Sequence, residues 1–479
     1  MSLRHTMIAG VSALLLTAGA TAACSSSPPS PLTWRPCPED AAFECANLPV
    51  PVDWSHPRGA TIDMAVIRKH TEAATRIGTL ISLPGGPGTS GVDQILQGSL
   101  HFSPGLAEHF DLVSFDARGA GRSHSIRCDA GLASTWPNLV PDNGARLDDV
   151  RSYVRQLADS CRHYTGPLLD HMDAASVAQD VEALRKALGE NTVTLYGRSY
   201  GTMYGQAYAE MYPQRMRALL LDSADDHSLD GPGFLDGEAR AARDTFAEFT
   251  SWCARESSCV LHGADIPALY NVLFARAERG DLHASDASHR PLSPLTLSQA
   301  LTQHLSRPDW PGLATDLRAL SQEPTGSAPS PAVPHPSGVP MSMAPLEVCA
   351  DWRFDIPGQA DWARLWREQN DNAGTLRAHF AWAAGSLCSA WPTPPPNPPH
   401  APHVHDAPRI LLMESLYDPA TPYEWATHIA ADTPGTTLLT YDGWGHGIYD
   451  RTPCTVSAGD NYLINLTLPQ PHTHCAAAG

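Results

Sequence analysis

The chain has 479 residues and carries 51 acidic against 32 basic side chains, a formal net charge of −19 at pH 7. Such a polyanion excludes nucleic acid and anionic membrane surfaces as electrostatic partners, and no block of like charge reads as a tail. The length allows one large α/β domain with a second unit inserted into it.

Arg4 and His5 give a short basic start, and Ile8 to Ala18 is apolar but too short for a stable membrane span. The next residues offer two cleavages. Ala20-Thr21-Ala22 suits an ordinary signal peptidase, while Thr21-Ala22-Ala23-Cys24 has the form of a lipoprotein box with Thr21 where leucine is usual. Residues 1–24 are therefore expected to direct export, and 25–36, opening on Ser25 to Pro31, to form a flexible tether. The mature protein is then secreted, or held on the outer face of the membrane through a lipidated Cys24.

Residues 37–228 form the first part of the folded core. Thr79-Leu80-Ile81-Ser82-Leu83 reads as a mostly apolar strand ending in Pro84-Gly85-Gly86-Pro87-Gly88. Glycines after an early strand let backbone N–H groups approach a substrate carbonyl without a Cβ in the way. The Gly86 N–H is thus a candidate oxyanion donor, with a plain Gly/Pro turn as the alternative. Phe110 to Phe115 is the next strand, and Asp116 to Ser123 comes after it as a glycine-rich turn. It lacks the Gly-Lys-Ser/Thr ending of a phosphate loop and reads as packing beside the site.

Thr192 to Tyr196 then predicts a strand, and Met203 to Met211 a helix, joined through Gly197-Arg198-Ser199-Tyr200-Gly201. A strand entering a helix through Gly-x-Ser-x-Gly is the nucleophile elbow of α/β-hydrolases. The turn is so tight that side chains at Gly197 and Gly201 would strike backbone. It lifts the Ser199 hydroxyl above the sheet, near a helix N-terminus that favours developing negative charge. The Tyr200 N–H is the second candidate oxyanion donor.

After the strand Met216 to Leu221 the pattern changes to helices. Phe246, Phe249 and Thr250 start one apolar face, Leu269, Val272 and Leu273 mark another, and Leu313, Leu317 and Leu320 a third. Thr325 to Pro340 and Pro392 to Pro402 read as loops. Residues 229–405 are therefore expected to form a cap inserted at the carboxyl edge of the sheet, where it shapes a substrate pocket.

Residues 406–479 complete the core. Arg409 to Met413 reads as a buried strand with Asp418 in the turn at its end, and Thr437 to Tyr441 as another, with His446 just beyond it. Serine hydroxyls hardly ionise at pH 7, so an imidazole must take the proton and a carboxylate must fix its tautomer. Ser199, Asp418 and His446 occur along the chain in the order this fold requires.

Leu83 to Gly91, Phe115 to Gly119 and Tyr196 to Thr202 resemble the secreted tripeptidyl aminopeptidases of high-G+C Gram-positive bacteria, which belong with the prolyl iminopeptidase-like serine peptidases. Asn47 to Trp54 is similar to that group's N-terminal strand, and Gly443 to Tyr449, Tyr462-Leu463 and Cys475 to its C-terminal region. The resemblance covers residues 37–475, the middle third least distinctively. It implies an α/β-hydrolase core with a mostly parallel sheet, a helical cap, and release of short peptides from substrates with a free N-terminus. Some relatives are carboxylesterases, which keep the same triad, so the chemistry carries over more safely than the substrate.

The chain has 11 cysteines, an odd count for an exported protein. Setting Cys24 aside leaves an even number. Nearest-neighbour pairing gives Cys37–Cys45, Cys128–Cys161, Cys253–Cys259, Cys349–Cys388 and Cys454–Cys475, one connectivity among many, with the resemblance supporting the last two. No cysteine or histidine spacing suggests a metal site, and no cofactor is expected. An aminopeptidase needs a carboxylate for the substrate's ammonium group. Glu347 and Asp351, one helical turn apart, are candidates; an ordinary solvated helix face is the alternative. A carboxylesterase would need no such anchor, and a non-catalytic binding protein would not keep the triad.

Overall fold

The polypeptide alternates apolar runs with amphipathic stretches, and the runs assemble into one sheet. In the computed structural model, residues 32–285, 290–323, 340–342, 345–377 and 381–478 are described. The export segment, Cys24 and most of the tether lie outside them, as does the loop from Thr325 up to Pro340.

Among the described residues the ten strands of this sheet are β1 (Arg35–Pro36), β2 (Glu44–Pro51), β3 (Thr61–Lys69), β4 (Gly78–Leu83), β5 (Phe110–Phe115), β6 (Val193–Ser199), β7 (Met216–Ala224), β8 (Ile410–Tyr417), β9 (Thr436–Trp444) and β10 (Thr473–Cys475). Their spatial order is β1-β2-β3-β5-β4-β6-β7-β8-β9-β10. The neighbours from β1 through β3 to β5 pair antiparallel, and the rest of the sheet is parallel. Burial explains the two styles. Every residue of β5 is buried, as a strand covered on both faces requires, whereas β2 alternates buried Ala46, Leu48 and Val50 with exposed Asn47 and Pro49. Covering helices keep the 3.6-residue period. In Ala174–Ala187, for example, Val177, Val181 and Leu184 are buried, and Asp173 caps the helix by accepting from the Ser176 N–H.

Between β7 and β8 lie the helices Gly231–Arg255, Ile266–Arg279, Pro294–Leu305, Trp310–Gln322, Val348–Asp351, Gln359–Ala373 and Ala381–Cys388. They pack in two ways. Residues from Ala239 to Leu376 form a hydrophobic cluster of their own. Leu346, Trp352, Trp362, Trp366, Trp382 and Leu387 instead join the main cluster, with Val150, Val154 and Leu157 of the helix Leu147–Thr165. Phe246, Phe249, Leu273, Leu313 and Leu317 are buried as their spacing predicts, but Val272 is 63% exposed. The buried face of its helix runs through Ile266, Tyr270, Leu273, Phe274 and Ala277, which leaves Val272 on the solvent side. The strand Pro340–Ser342 pairs antiparallel with Arg127–Asp129, a link between insertion and core that local patterning does not reveal. Among the described residues five disulfides are present, with the nearest-neighbour connectivity.

Candidate active site

The elbow forms as the glycine pattern requires. β6 runs into the helix Gly201–Met211, and Ser199, the last residue of β6, adopts φ 57°, in the left-handed region. A Cβ on Gly197 would lie 2.6 Å from the Gly201 carbonyl oxygen, and one on Gly201 would lie 2.2 Å from that of Leu83. Only glycine allows that approach. The loop after β4 packs directly against the elbow, so Gly85, Gly86 and Tyr200 line the same cavity as Ser199. The turn after β5 is structural: the Asp116 carboxylate accepts from Ser90 Oγ at 2.6 Å, the Val92 N–H at 3.0 Å and the Arg122 N–H at 2.7 Å.

Asp418 is buried in the turn leaving β8. Its Oδ1 accepts from the N–H groups of Ala420 (2.9 Å) and Thr421 (3.1 Å), and its Oδ2 from Thr421 Oγ1 (3.0 Å). His446 Nδ1 lies 2.8 Å from Asp418 Oδ2, an arrangement that keeps the proton on Nδ1 and leaves Nε2 as an acceptor. Burial opposes charge on Asp418, but His446 and these donors hold its carboxyl below the usual carboxylate range. Thr421, which sequence reasoning passed over, also places Oγ1 3.2 Å from His446 Nδ1. Its signal was an ordinary Asp-Pro-x-Thr turn.

The His446 loop is held from below. Gly447 N–H donates to Ser223 Oγ at 2.8 Å and Ile448 N–H to Asp222 Oδ1 at 2.7 Å. The His446 carbonyl accepts from Arg198 Nη2 at 2.7 Å and from Arg451 Nη2 at 3.1 Å.

Ser199 and His446 line a cavity of about 520 Å³ between the sheet and the inserted helices. Phe234, Val348, Trp352, Ala381 and Ala384 form an apolar wall, and two acids, Asp225 and Glu238, also line it. Burial, with Asp418 and neighbouring acids reinforcing it against His446, pushes the Asp225 carboxyl up to about 7. Burial, then Asp225 and Asp418, pushes Glu238 well above the usual range.

Glu347 and Asp351 do sit one helical turn apart, with Glu347 at helical angles leading into the helix Val348–Asp351, but not on a solvated face. Both are buried, Glu347 closing a short 3₁₀ turn and Asp351 ending a four-residue helix. The Asp351 carboxylate is engaged by the Ala174 N–H (3.0 Å), Tyr200 OH (2.5 Å) and Asn397 Nδ2 (2.6 Å). Neither acid lines the cavity. Their spacing could not show that the chain folds inward there, with Trp352 rather than the carboxylates facing the site. Among the described residues, no three His, Cys, Asp or Glu side chains group as a metal site.

Fold and site together define a serine hydrolase of the α/β type. Residues 78–258 match the alpha/beta hydrolase fold family, and residues 375–475 match the TAP-like protein family. The chain is 30% identical to Carboxylesterase B of Mycobacterium tuberculosis, covering 93% of this chain and 90% of that protein. It is 28% identical to the tripeptidyl aminopeptidase of Streptomyces lividans, over 96% and 89% of the two chains. To Serine protease Hip1 of Mycobacterium tuberculosis it is 27% identical, over 93% and 91%. The chain belongs to the α/β-hydrolase family, with a TAP-like C-terminal region.

Proposed function

We propose that this protein is an exported aminopeptidase that releases short peptides, tripeptides foremost, from free N-termini through an acyl-enzyme on Ser199. The observation that carries this reading is the placement of Asp225 and Glu238 in the cavity that holds Ser199 and His446. An ammonium group fits beside two buried acids; an uncharged ester has no use for them. His446 takes the Ser199 proton, Ser199 attacks the peptide carbonyl, and the N–H groups of Gly86 and Tyr200 receive the oxyanion. His446 then protonates the leaving amine, and water hydrolyses the acyl-enzyme by the same route. Five disulfides support an oxidising destination, and lipidation of Cys24 would hold the protein there.

N-acetylation of a tripeptide-releasing substrate is expected to lower kcat/KM by at least roughly 100-fold, about 2.7 kcal/mol of transition-state binding. Asp225→Asn and Glu238→Gln should narrow that gap, while Glu347→Gln should not. Equal cleavage of free and acetylated peptides would favour the second reading, a carboxylesterase, whose support is the 30% identity to Carboxylesterase B.

Acidity offers an independent check. The Asp225 carboxyl is raised to about 7, so below that pH an arriving ammonium must displace its proton. Binding of a free-amine tripeptide to the Ser199→Ala variant should therefore weaken as pH falls below 7, approaching roughly tenfold per unit. Calorimetry at pH 5.5 and 7.5 measures this, with the N-acetylated tripeptide as the control that should not respond. A pH-independent affinity for the free amine would remove Asp225 from the anchor.

A further inference from the structure

The segment that delivers His446 is tied to the inserted helices as well as to its own sheet. Trp444 ends β9 two residues before His446, and although it belongs to the core strand it packs against the insertion's own cluster, Ala239 to Leu376. Its ring stacks on that of Trp310, the fully buried first residue of the helix Trp310–Gln322, with centroids 3.9 Å apart and planes 10° from parallel. Trp252 of the helix Gly231–Arg255 packs on both, at 5.7 Å from Trp310 and 6.5 Å from Trp444.

The backbone of His446 is divided in the same way. Its carbonyl is held by Arg198 and Arg451 of the core, but its N–H donates to the Ser306 carbonyl at 2.8 Å. Ser306 caps the C-terminus of Pro294–Leu305 and lines the cavity with Thr302 and Gln303. Gly445, between Trp444 and His446, has φ +101°, and a Cβ there would sit 3.3 Å from the Ser306 oxygen and 3.0 Å from Arg451 Nη2. The close approach of insertion and loop therefore requires glycine at this position.

We propose that Trp310 and the Ser306 carbonyl are positioning groups for the reaction: they hold His446 in register with Asp418 and Ser199. The inserted helices are then part of the catalytic centre and not only the wall of the substrate cavity. This rests on His446 being the general base. The physical reason is that His446 reaches Asp418 through a single Nδ1 contact from a glycine-flanked loop. A displacement of about 1 Å at a catalytic group can cost on the order of 100-fold in rate. Without the Trp310 stack and the Ser306 acceptor, only the core side of the loop remains anchored.

The test is turnover of p-nitrophenyl acetate, an ester too small to draw binding energy from the inserted helices. Trp310→Leu should lower kcat on this ester by roughly 10- to 100-fold with KM within about twofold, and lower peptide turnover by a similar factor. Trp310→Phe, which keeps an aromatic face against Trp444, should retain at least about half of the parent kcat. Trp444→Leu should reproduce the loss, and the double variant should be no slower than either single one, because both remove one contact. If Trp310→Leu does not give the parent's circular dichroism and melting, the half-buried Trp444→Leu carries the test. A folded variant with parental ester kcat and only a raised peptide KM would overturn the proposal. Loss of activity in Trp310→Phe equal to that in Trp310→Leu would also overturn it, since stacking would not be the cause. Parental ester turnover in Ser199→Ala would instead overturn the acyl-enzyme reading, whatever Trp310 does.

Discussion

Ser199→Ala is expected to lose hydrolysis of peptides and esters alike, by roughly a million-fold in kcat, and to lose labelling by a fluorophosphonate. Ser199 is the residue that the elbow lifts into the cavity lined by His446, and alanine removes the hydroxyl proposed to attack. The fold should survive, because alanine meets the same left-handed strain as serine and leaves only a hydroxyl-sized gap. Asp418→Asn should cost about 10⁴-fold, since the amide no longer fixes the proton on His446 Nδ1. The two losses should not add, because the groups act as one unit. Titration of the active site with a fluorophosphonate, alongside circular dichroism, checks both. A Ser199→Ala protein that still takes up one equivalent of label would place the nucleophile elsewhere.

Asp180→Ala is expected to destabilise the protein by about 3–5 kcal/mol, the cost of stranding a buried charge. Arg118 and Asp180 have fully buried side chains and meet at 2.6 Å and 2.7 Å. Arg118 also donates to the carbonyls of Pro51, Val52 and His171, and Trp54 Nε1 donates to Asp180 Oδ1 at 2.9 Å. One ion pair thus joins the turn after β5, the end of β2 and the helix Ala174–Ala187. With the carboxylate gone, the guanidinium keeps its carbonyl partners but loses its paired charge while its side chain stays fully buried. Urea denaturation monitored by tryptophan fluorescence measures the change. A shift within about 0.5 kcal/mol, the range of surface substitutions, would mean that water reaches the site. Neither residue lines the cavity, so kinetic constants of the folded fraction should stay near those of the parent.

Much of the core is legible in the chain because its signals are local. Phe110 to Phe115 forms a strand with the predicted limits, and β4, β6, β7, β8 and β9 start within a residue or so of their apolar runs. The nearest-neighbour cysteine pairs are the pairs present in the structure. Cys37–Cys45 and Cys253–Cys259, 8 and 6 residues apart, close local turns, whereas the other three pairs are 21 to 39 residues apart and meet through tertiary packing. The burial of Arg118 against Asp180 agrees with a packing role for the turn that carries it, although no local feature names its partner.

The acids show the limit. Glu347 and Asp351 keep the helical spacing that the sequence suggests, but the turn that carries them folds inward onto the core instead of facing solvent. Asp225 and Glu238 line the cavity instead, one just past β7 and the other a turn or two into the helix Gly231–Arg255, positions that carry no distinguishing pattern. Likewise nothing near Trp444 announces Trp310, or that the N–H of His446 finds its acceptor on a different part of the chain.

What the amino-acid order established was the hydrolase core, its elbow and the turns that carry Asp418 and His446, because strand periodicity and glycine geometry act over five to ten residues. Which carboxylates face the cavity, and what holds the histidine loop from above, depended on how a long insertion folds back over the sheet. Those contacts join residues more than a hundred positions apart, and they form through packing and desolvation that no short window of sequence contains.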